Sequence, residues 1–279
     1  MSNEQNIGTL IRKYRKIRKL TQKELSHGLC SQAMLSAIEN GKHIPNSELF
    51  ISLLQRMQIS FSDISLHNHY ELKANIQRNK KIQQLCDKHE YRELYQLLIA
   101  QETIDSLEEE SDYRIYYYYL GCATFHVEDD LHQSEELFHL ALAEVSSVAV
   151  GDSLNRLIYA SLGLIAALKN NQTVAKQYFI RSLENVEYES FQENIAVVFY
   201  LKALSEMKLK VDRNEIERTL QTGIKYITAN KSIYILANFY YLLSQLYNAG
   251  SDEEAIAINR TRVFQELYGE RVYTKKLVY

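Results

Sequence analysis

Near the amino end, apolar residues recur every three or four positions, in short blocks separated by polar stops. Ile7, Leu10, Ile11, Tyr14 and Ile17 fall on one stripe and predict a helix from Ile7 to Lys19. Thr21 followed by Glu24 is a capping box, which starts a second helix reaching Leu29. Ser31 is placed to cap a third helix that runs to Asn40 and is stopped by Gly41. Leu25, Leu29, Leu35 and Ile38 then lock the second and third helices together at a steep angle, the arrangement of a helix-turn-helix. A fourth helix from Asn46 to Met57 closes a small core through Leu49, Leu53 and Leu54, and a fifth begins near Ser60.

Beyond this block the pattern is helix after helix, and it repeats. A single proline, Pro45, and nine glycines in 279 residues leave few points at which a helix must break. After Gly163 come Ala166, Ala175, Phe179 and Ser182, the spacing of small and aromatic residues that lets two antiparallel helices pack as a tetratricopeptide (TPR)-like hairpin. Gly121 begins a second copy with Ser134, Phe138 and Ala141. Weaker copies begin at Ala203, with Ile216, Leu220 and Gly223, and at Ser244, with Tyr247, Ala255 and Asn259. The four anchors are 42, 40 and 41 residues apart, and an earlier helical pair near 72–104 begins the array. The expected architecture is all-α, with a helix-turn-helix over residues 1–66, a linker helix over 67–84 and a TPR-like helical-repeat solenoid over 85–279.

Charge separates the two parts. Residues 1–66 hold nine Lys/Arg against five acids, so a net charge of −3 for the whole chain leaves a surplus of seven negative charges on the remainder. Clustered cations are the electrostatic footprint of phosphate binding. In a helix-turn-helix the second helix of the pair enters the major groove. Here that helix presents Gln32, Ala33, Met34, Ser36 and Ala37, with Ser31 at its start. Gln32 has the donor and acceptor to pair with an adenine edge, and Ala33, Met34 and Ala37 offer apolar contact to thymine methyls. Gln22 is placed to hydrogen-bond a phosphate, and Lys13, Lys16, Lys23, Lys42 and His43 to neutralise phosphates and set register. Since one such unit covers only a few base pairs, a homodimer on a pseudo-palindromic double-stranded operator is expected.

The acidic remainder calls for a different partner. Stacked helical pairs curve into a superhelix whose concave face holds extended peptides. Ser161, Asn194, Tyr200, Asn238 and Tyr241 are the inner-helix candidates for that face. Asparagine can pair both donor and acceptor with a peptide main chain, and tyrosine combines apolar area with a polar tip. The same residues would equally fill helix interfaces or face water. Cys30, Cys86 and Cys122 form no CxxC pair and read as reduced thiols of a cytoplasmic protein. No apolar run is long enough to span a membrane. His67 and His69, and the pair His126 and His132, lack a recognisable ligand spacing, so no metal is expected. The run Tyr116 to Tyr119 reads as inter-helix packing. No phosphate-binding glycine motif or nucleophile elbow occurs, so neither an enzyme nor a cofactor is expected.

The motif TQKEL…SQAMLSAIENGKHIP resembles the Xre/Cro-type helix-turn-helix, and its short GLCSQ turn is similar to the Rgg/PlcR (RRNPP) branch of peptide-sensing transcription regulators. LCDKHEYRELYQLL at 85–98 resembles the segment that follows the linker helix in that branch. The resemblance implies quorum sensing through a short signalling peptide held in the solenoid groove. It implies that Asn238 retains an amide where the branch has a glutamine. His89, Ser161 and Phe199 stand where the branch has a lysine and two asparagines, which implies a different peptide. Ala37 replaces a basic residue common among the relatives, which implies a different operator. Two other readings stay open at this level. The solenoid could bind a partner protein, or the chain could be a peptide-controlled phosphatase or adaptor, against which the basic front counts.

Overall fold

Four helices build the amino-terminal block: α1 (Ile7–Ile17), α2 (Gln22–Ser26), α3 (Gln32–Glu39) and α4 (Ser47–Arg56). The starts of α2, α3 and α4 are set by side-chain caps. The Glu24 amide donates to Thr21 Oγ1 at 3.1 Å while the Thr21 amide donates to the Glu24 carboxylate at 2.7 Å. Ser31 Oγ accepts from the Met34 amide at 3.1 Å and Asn46 Oδ1 from the Leu49 amide at 2.8 Å. One boundary departs from expectation. Helix α2 ends at Ser26 rather than Leu29, because Gly28 takes a positive φ of 71° and turns the chain. The Arg56 guanidinium donates to the carbonyls of Leu25 and His27 and so satisfies acceptors that the early stop leaves over. Ile11, Tyr14, Leu25, Leu35, Ile38, Leu53, Leu54 and Met57 form the buried core of this block.

The computed structural model describes residues 7–57, 76–128, 130–143, 153–188 and 191–274. The helix expected near Ser60, the first part of the 67–84 linker helix, and His67 and His69 lie outside them. The chain divides into two units, Met1–Asn68 and His69–Tyr279. All regular structure among the described residues is helical.

The second unit continues with α5 (Ile76–Asp87), α6 (Tyr91–Ile99), a single turn α7 (Gln101–Ile104), and α8 (Glu110–Val127). It goes on through α9 (Leu131–Ala143), α10 (Ser153–Leu168), α11 (Gln172–Leu183), α12 (Ile195–Lys208), α13 (Arg213–Ala229), α14 (Leu236–Leu246) and α15 (Asp252–Tyr268). From α8 onward these pack as consecutive pairs, α8 with α9 through to α14 with α15. The small anchors work as steric windows. A Cβ on Gly121 would lie 2.9 Å from the Phe138 ring, and one on Gly163 would lie 2.8 Å from the Phe179 ring. Helix α10 is buried along its whole length except at Asn155 and Tyr159, which makes it the spine of the larger core.

In the fourth pair the sequence register is wrong by two residues. Ala255 and Asn259 are exposed, whereas Ala257 and Thr261 are buried against α14. Helix α15 has a single helix of the repeat to pack on, and Phe264 stacks on Tyr240 with ring centroids 5.8 Å apart. That aromatic contact, rather than the small-residue consensus, sets the rotation of the last helix.

Candidate functional site

In the first unit, α3 turns Leu35, Ile38 and Glu39 inward. The opposite side carries Gln32, Ala33 and Met34, all exposed, flanked by half-buried Ser36 and Ala37. Lys16, Lys23, Lys42 and His43 are exposed around it, and the side chain of Lys13 lies outside the described residues. Two of the expected contacts also have a part in the fold. Gln22 is half-buried and one Nε2 hydrogen donates to Glu39 at 2.8 Å. Ser31 is exposed, and its Oγ accepts the capping hydrogen bond of α3.

Glu39 organises this unit and was not singled out in the sequence. Its carboxylate takes two parallel hydrogen bonds from Arg15, at 2.6 Å and 2.9 Å. The third arm of Arg15 donates to the Leu20 carbonyl at 2.8 Å. Burial pushes the Glu39 pKa up, but the hydrogen bonds from Arg15 and Gln22 outweigh it and hold the group below the usual carboxylate range. Arg15 and Arg56 therefore do internal work, and the phosphate-facing charge is smaller than a count of cations suggests.

In the second unit a cavity of about 210 Å³ opens on the inner helices. Its wall is mostly apolar, with Phe125, Leu157, Leu164, Ile165, Val197, Leu201 and Leu204 from α8, α10 and α12. Set into that wall are His89, His126, Ser161, Asn194, Tyr200 and Asn238. Five of the seven sequence candidates thus line one cavity. The other two do not. Phe199, one residue before Tyr200, points the other way around α12 and packs on Tyr226 at 5.8 Å. Tyr241, one turn beyond Asn238, packs into the core formed by α12 to α15. Ser161 lines the cavity but donates its hydroxyl to the Leu157 carbonyl at 2.9 Å, so that proton is not available to a ligand.

Tyr200 has the opposite character. Its side chain is 8% exposed, and its hydroxyl has no hydrogen-bond partner among the described residues. Burial, and then the nearby Tyr273 and Tyr241, push its pKa up, so it remains a donor. A buried hydroxyl without a partner is rare in folded proteins and marks a place for one. Burial also pushes the cavity thiol of Cys122 to about 12, which leaves it unreactive. His89, with φ of 54°, is the left-handed residue that stops α5, as Lys19, Asn170 and Lys210 stop their helices. The β-branched Ile235, with φ of 53° on the cavity rim, is the strained residue, at a cost of about 1–3 kcal/mol.

The carboxyl-terminal segment enters the same cavity. The Asn238 amide donates through Nδ2 to the Arg271 carbonyl at 3.1 Å and accepts through Oδ1 from the Tyr273 amide at 2.9 Å. His89 Nε2 is 3.0 Å from the same Arg271 carbonyl. Tyr273 inserts its ring between His89 and His126, at centroid separations of 5.7 Å and 5.0 Å. Its hydroxyl is 3.0 Å from His126 Nδ1, while His126 stacks on Tyr91 at 3.7 Å. His126, Tyr91 and Tyr273 were missed as site residues. His126 stood out in the sequence as a possible metal ligand, but no group of ligating side chains occurs among the described residues.

Residues 11–64 match the helix-turn-helix family. Over the whole chain the fold is similar to that of PlcR from Bacillus thuringiensis in complex with the peptide PapR7 and DNA, at 19% identity and a TM-score of 0.64, covering 95% of both chains. The apo form of PlcR matches at 19% identity and a TM-score of 0.57, covering 94% of both chains. No curated protein matches the sequence. Among the described residues no helix is long and apolar enough to cross a membrane. The first unit is a DNA-binding helix-turn-helix domain of the Xre type, and the chain as a whole has the fold of PlcR.

Proposed function

We propose that the protein is a cytoplasmic transcription regulator that reads an operator through α3 as a homodimer and is controlled by a short signalling peptide bound in the cavity of its second unit, the chemistry of quorum sensing. The observation that carries the reading is Asn238. One side-chain amide there holds both a carbonyl and an N–H of an extended main chain, the contact a peptide receptor needs and one that does not depend on the peptide's sequence. The unpartnered Tyr200 hydroxyl supplies a further donor. PlcR, which shares the fold, forms a complex with a peptide and DNA. A concave, largely apolar cavity suits a peptide better than the face of a folded partner protein. Residues 1–66 would bind DNA, 67–84 link the parts, and 85–279 sense the peptide and dimerise.

In this reading Gln32, Ala33, Met34, Ser36 and Ala37 meet base edges, while Lys13, Lys16, Lys23, Lys42 and His43 meet phosphates. The test is operator selection from random duplexes, followed by titration of the selected site with synthetic peptides across a salt series. Gln32→Ala should weaken the selected site by about 1–3 kcal/mol and leave random DNA unchanged. Asn238→Ala should remove the peptide response of operator binding. Equal losses on selected and random duplexes would refute base reading by α3. A full peptide response in Asn238→Ala would remove the cavity from the mechanism.

A further inference from the structure

Residues 270–274 run along the cavity's mouth in the manner of a ligand, with Tyr273 set into its lining. Besides the two-point contact with Asn238, the Glu270 carboxylate accepts from the Ala237 amide at 2.8 Å, in the first turn of α14. Arg271 reaches the other rim, donating to the Lys88 carbonyl at 3.3 Å and to Glu90 at 3.2 Å. Tyr273 forms a wall between the 210 Å³ cavity and an outer cleft of about 340 Å³, and His89, Tyr91 and His126 border both. The inner space left beside the segment is below the roughly 300–1,000 Å³ typical of ligand pockets. A peptide of several residues therefore fits only if the segment leaves, and its departure joins the two spaces.

We infer that the segment 270–274 is a tethered pseudoligand, and that the peptide which displaces it is extended and carries an aromatic side chain in the slot that Tyr273 fills between His89 and His126. The main-chain contacts specify an extended ligand. The slot specifies the residue, since two imidazoles and Tyr91 surround a planar ring and His126 meets a phenolic hydroxyl. A tether of this kind competes at an effective concentration on the order of 1 mM, so ligands weaker than the segment itself are excluded. This inference rests on the reading of the cavity as a peptide site.

The probe is a fluorescein-labelled pentapeptide of the segment's own sequence, ERVYT, and its ERVAT counterpart, titrated by anisotropy into the full-length chain. Wild-type chain should bind ERVYT weakly. Tyr273→Ala in the full chain vacates the slot and should bind ERVYT at least tenfold more tightly, with no gain for ERVAT. Arg271→Ala removes the rim contacts to Lys88 and Glu90, leaves the slot residues untouched and should give the same gain. Adding Asn238→Ala to either should abolish it. If neither variant gains affinity for ERVYT while helical circular dichroism is retained, the pseudoligand is overturned. If a randomised heptapeptide pool still yields Asn238-dependent binders of equal affinity for wild type and variants, only the pseudoligand has failed. If no peptide binds any of the chains, the peptide-receptor reading falls with it.

Discussion

Removing the Arg15 guanidinium should unfasten the DNA-binding unit. The Glu39 side chain is 1% exposed and Arg15 12% exposed, so truncating Arg15 to alanine leaves a carboxylate in the interior with only Gln22 beside it. Loss of one partner of a buried pair costs about 3–5 kcal/mol. At about 0.05–0.15 kcal/mol per residue, a unit of this size has a total stability of about 3–10 kcal/mol, so Arg15→Ala removes a large part of it. The double change Arg15→Met/Glu39→Met removes both charges and should recover most of the loss. Because the Glu39 pKa is lowered in the folded state, its contribution is full above the ordinary carboxylate pKa and disappears as pH falls through the folded value. Hydrogen exchange on the full-length chain, followed in α1 and α3 with the second unit as internal reference, measures the effect. A change in α1 and α3 protection below about 0.5 kcal/mol in Arg15→Ala, the size of a surface substitution, would refute the reasoning.

Three further perturbations test the packing and the docked segment. A Cβ on Gly8 would lie 1.7 Å from the Ile38 carbonyl oxygen, a backbone atom of α3 that cannot rotate away, so Gly8→Ala should cost about 3 kcal/mol or more in urea unfolding of the first unit. Gly163→Ala meets only the edge of a Phe179 ring, which can tilt, and should cost less, about 1–2 kcal/mol. Burial raises the Glu270 pKa from 4.5 to about 7 against the opposing hydrogen bonds from Ala237 and Asn238, so protonation favours the docked segment. Docking should be tightest below about pH 4.5 and weaken as pH rises to about 7, by about 3 kcal/mol at about 1.4 kcal/mol per pH unit. Exchange at the Tyr273 amide, corrected for its intrinsic pH dependence, should follow that profile, and Glu270→Gln should flatten it.

The parts of the fold legible in the sequence were those governed by neighbours a few residues apart. Capping at Thr21 and Ser31 depends on residues three positions apart, and both caps form. The glycine and phenylalanine anchors of the α8–α9 and α10–α11 pairs meet because sixteen or seventeen residues of hairpin bring them together. What escaped depends on distant partners. Arg15 and Glu39 are separated by 24 residues, and nothing local distinguishes either from a solvated charge. His89 and Arg271 are separated by 182, and that contact exists only because the superhelix curves back on itself. Phe199 failed for a different reason. It was placed by analogy of register, and one residue along a helix is a rotation of about 100°, enough to turn a side chain from the cavity into the core.

The docked segment also bears on how ligand binding acts at a distance. A ligand shifts a conformational equilibrium only by the difference in its affinity for the two states. Residues 270–274 touch the turn after α5 at Lys88, His89 and Glu90 and the start of α14 at Ala237 and Asn238, so they bridge the first and last inner helices of the unit. A peptide that takes only the Asn238 contact and the aromatic slot replaces the main-chain hydrogen bonds but not the Arg271 bridge to Glu90. The bridge is charged, partly exposed and specific to the tail, so it is the element present in one state and missing in the other. Helix α5 forms the second half of the 67–84 linker. On the proposed reading, release of Arg271 frees the carboxyl end of that helix, so peptide binding acts on the linker itself without any contact between ligand and DNA.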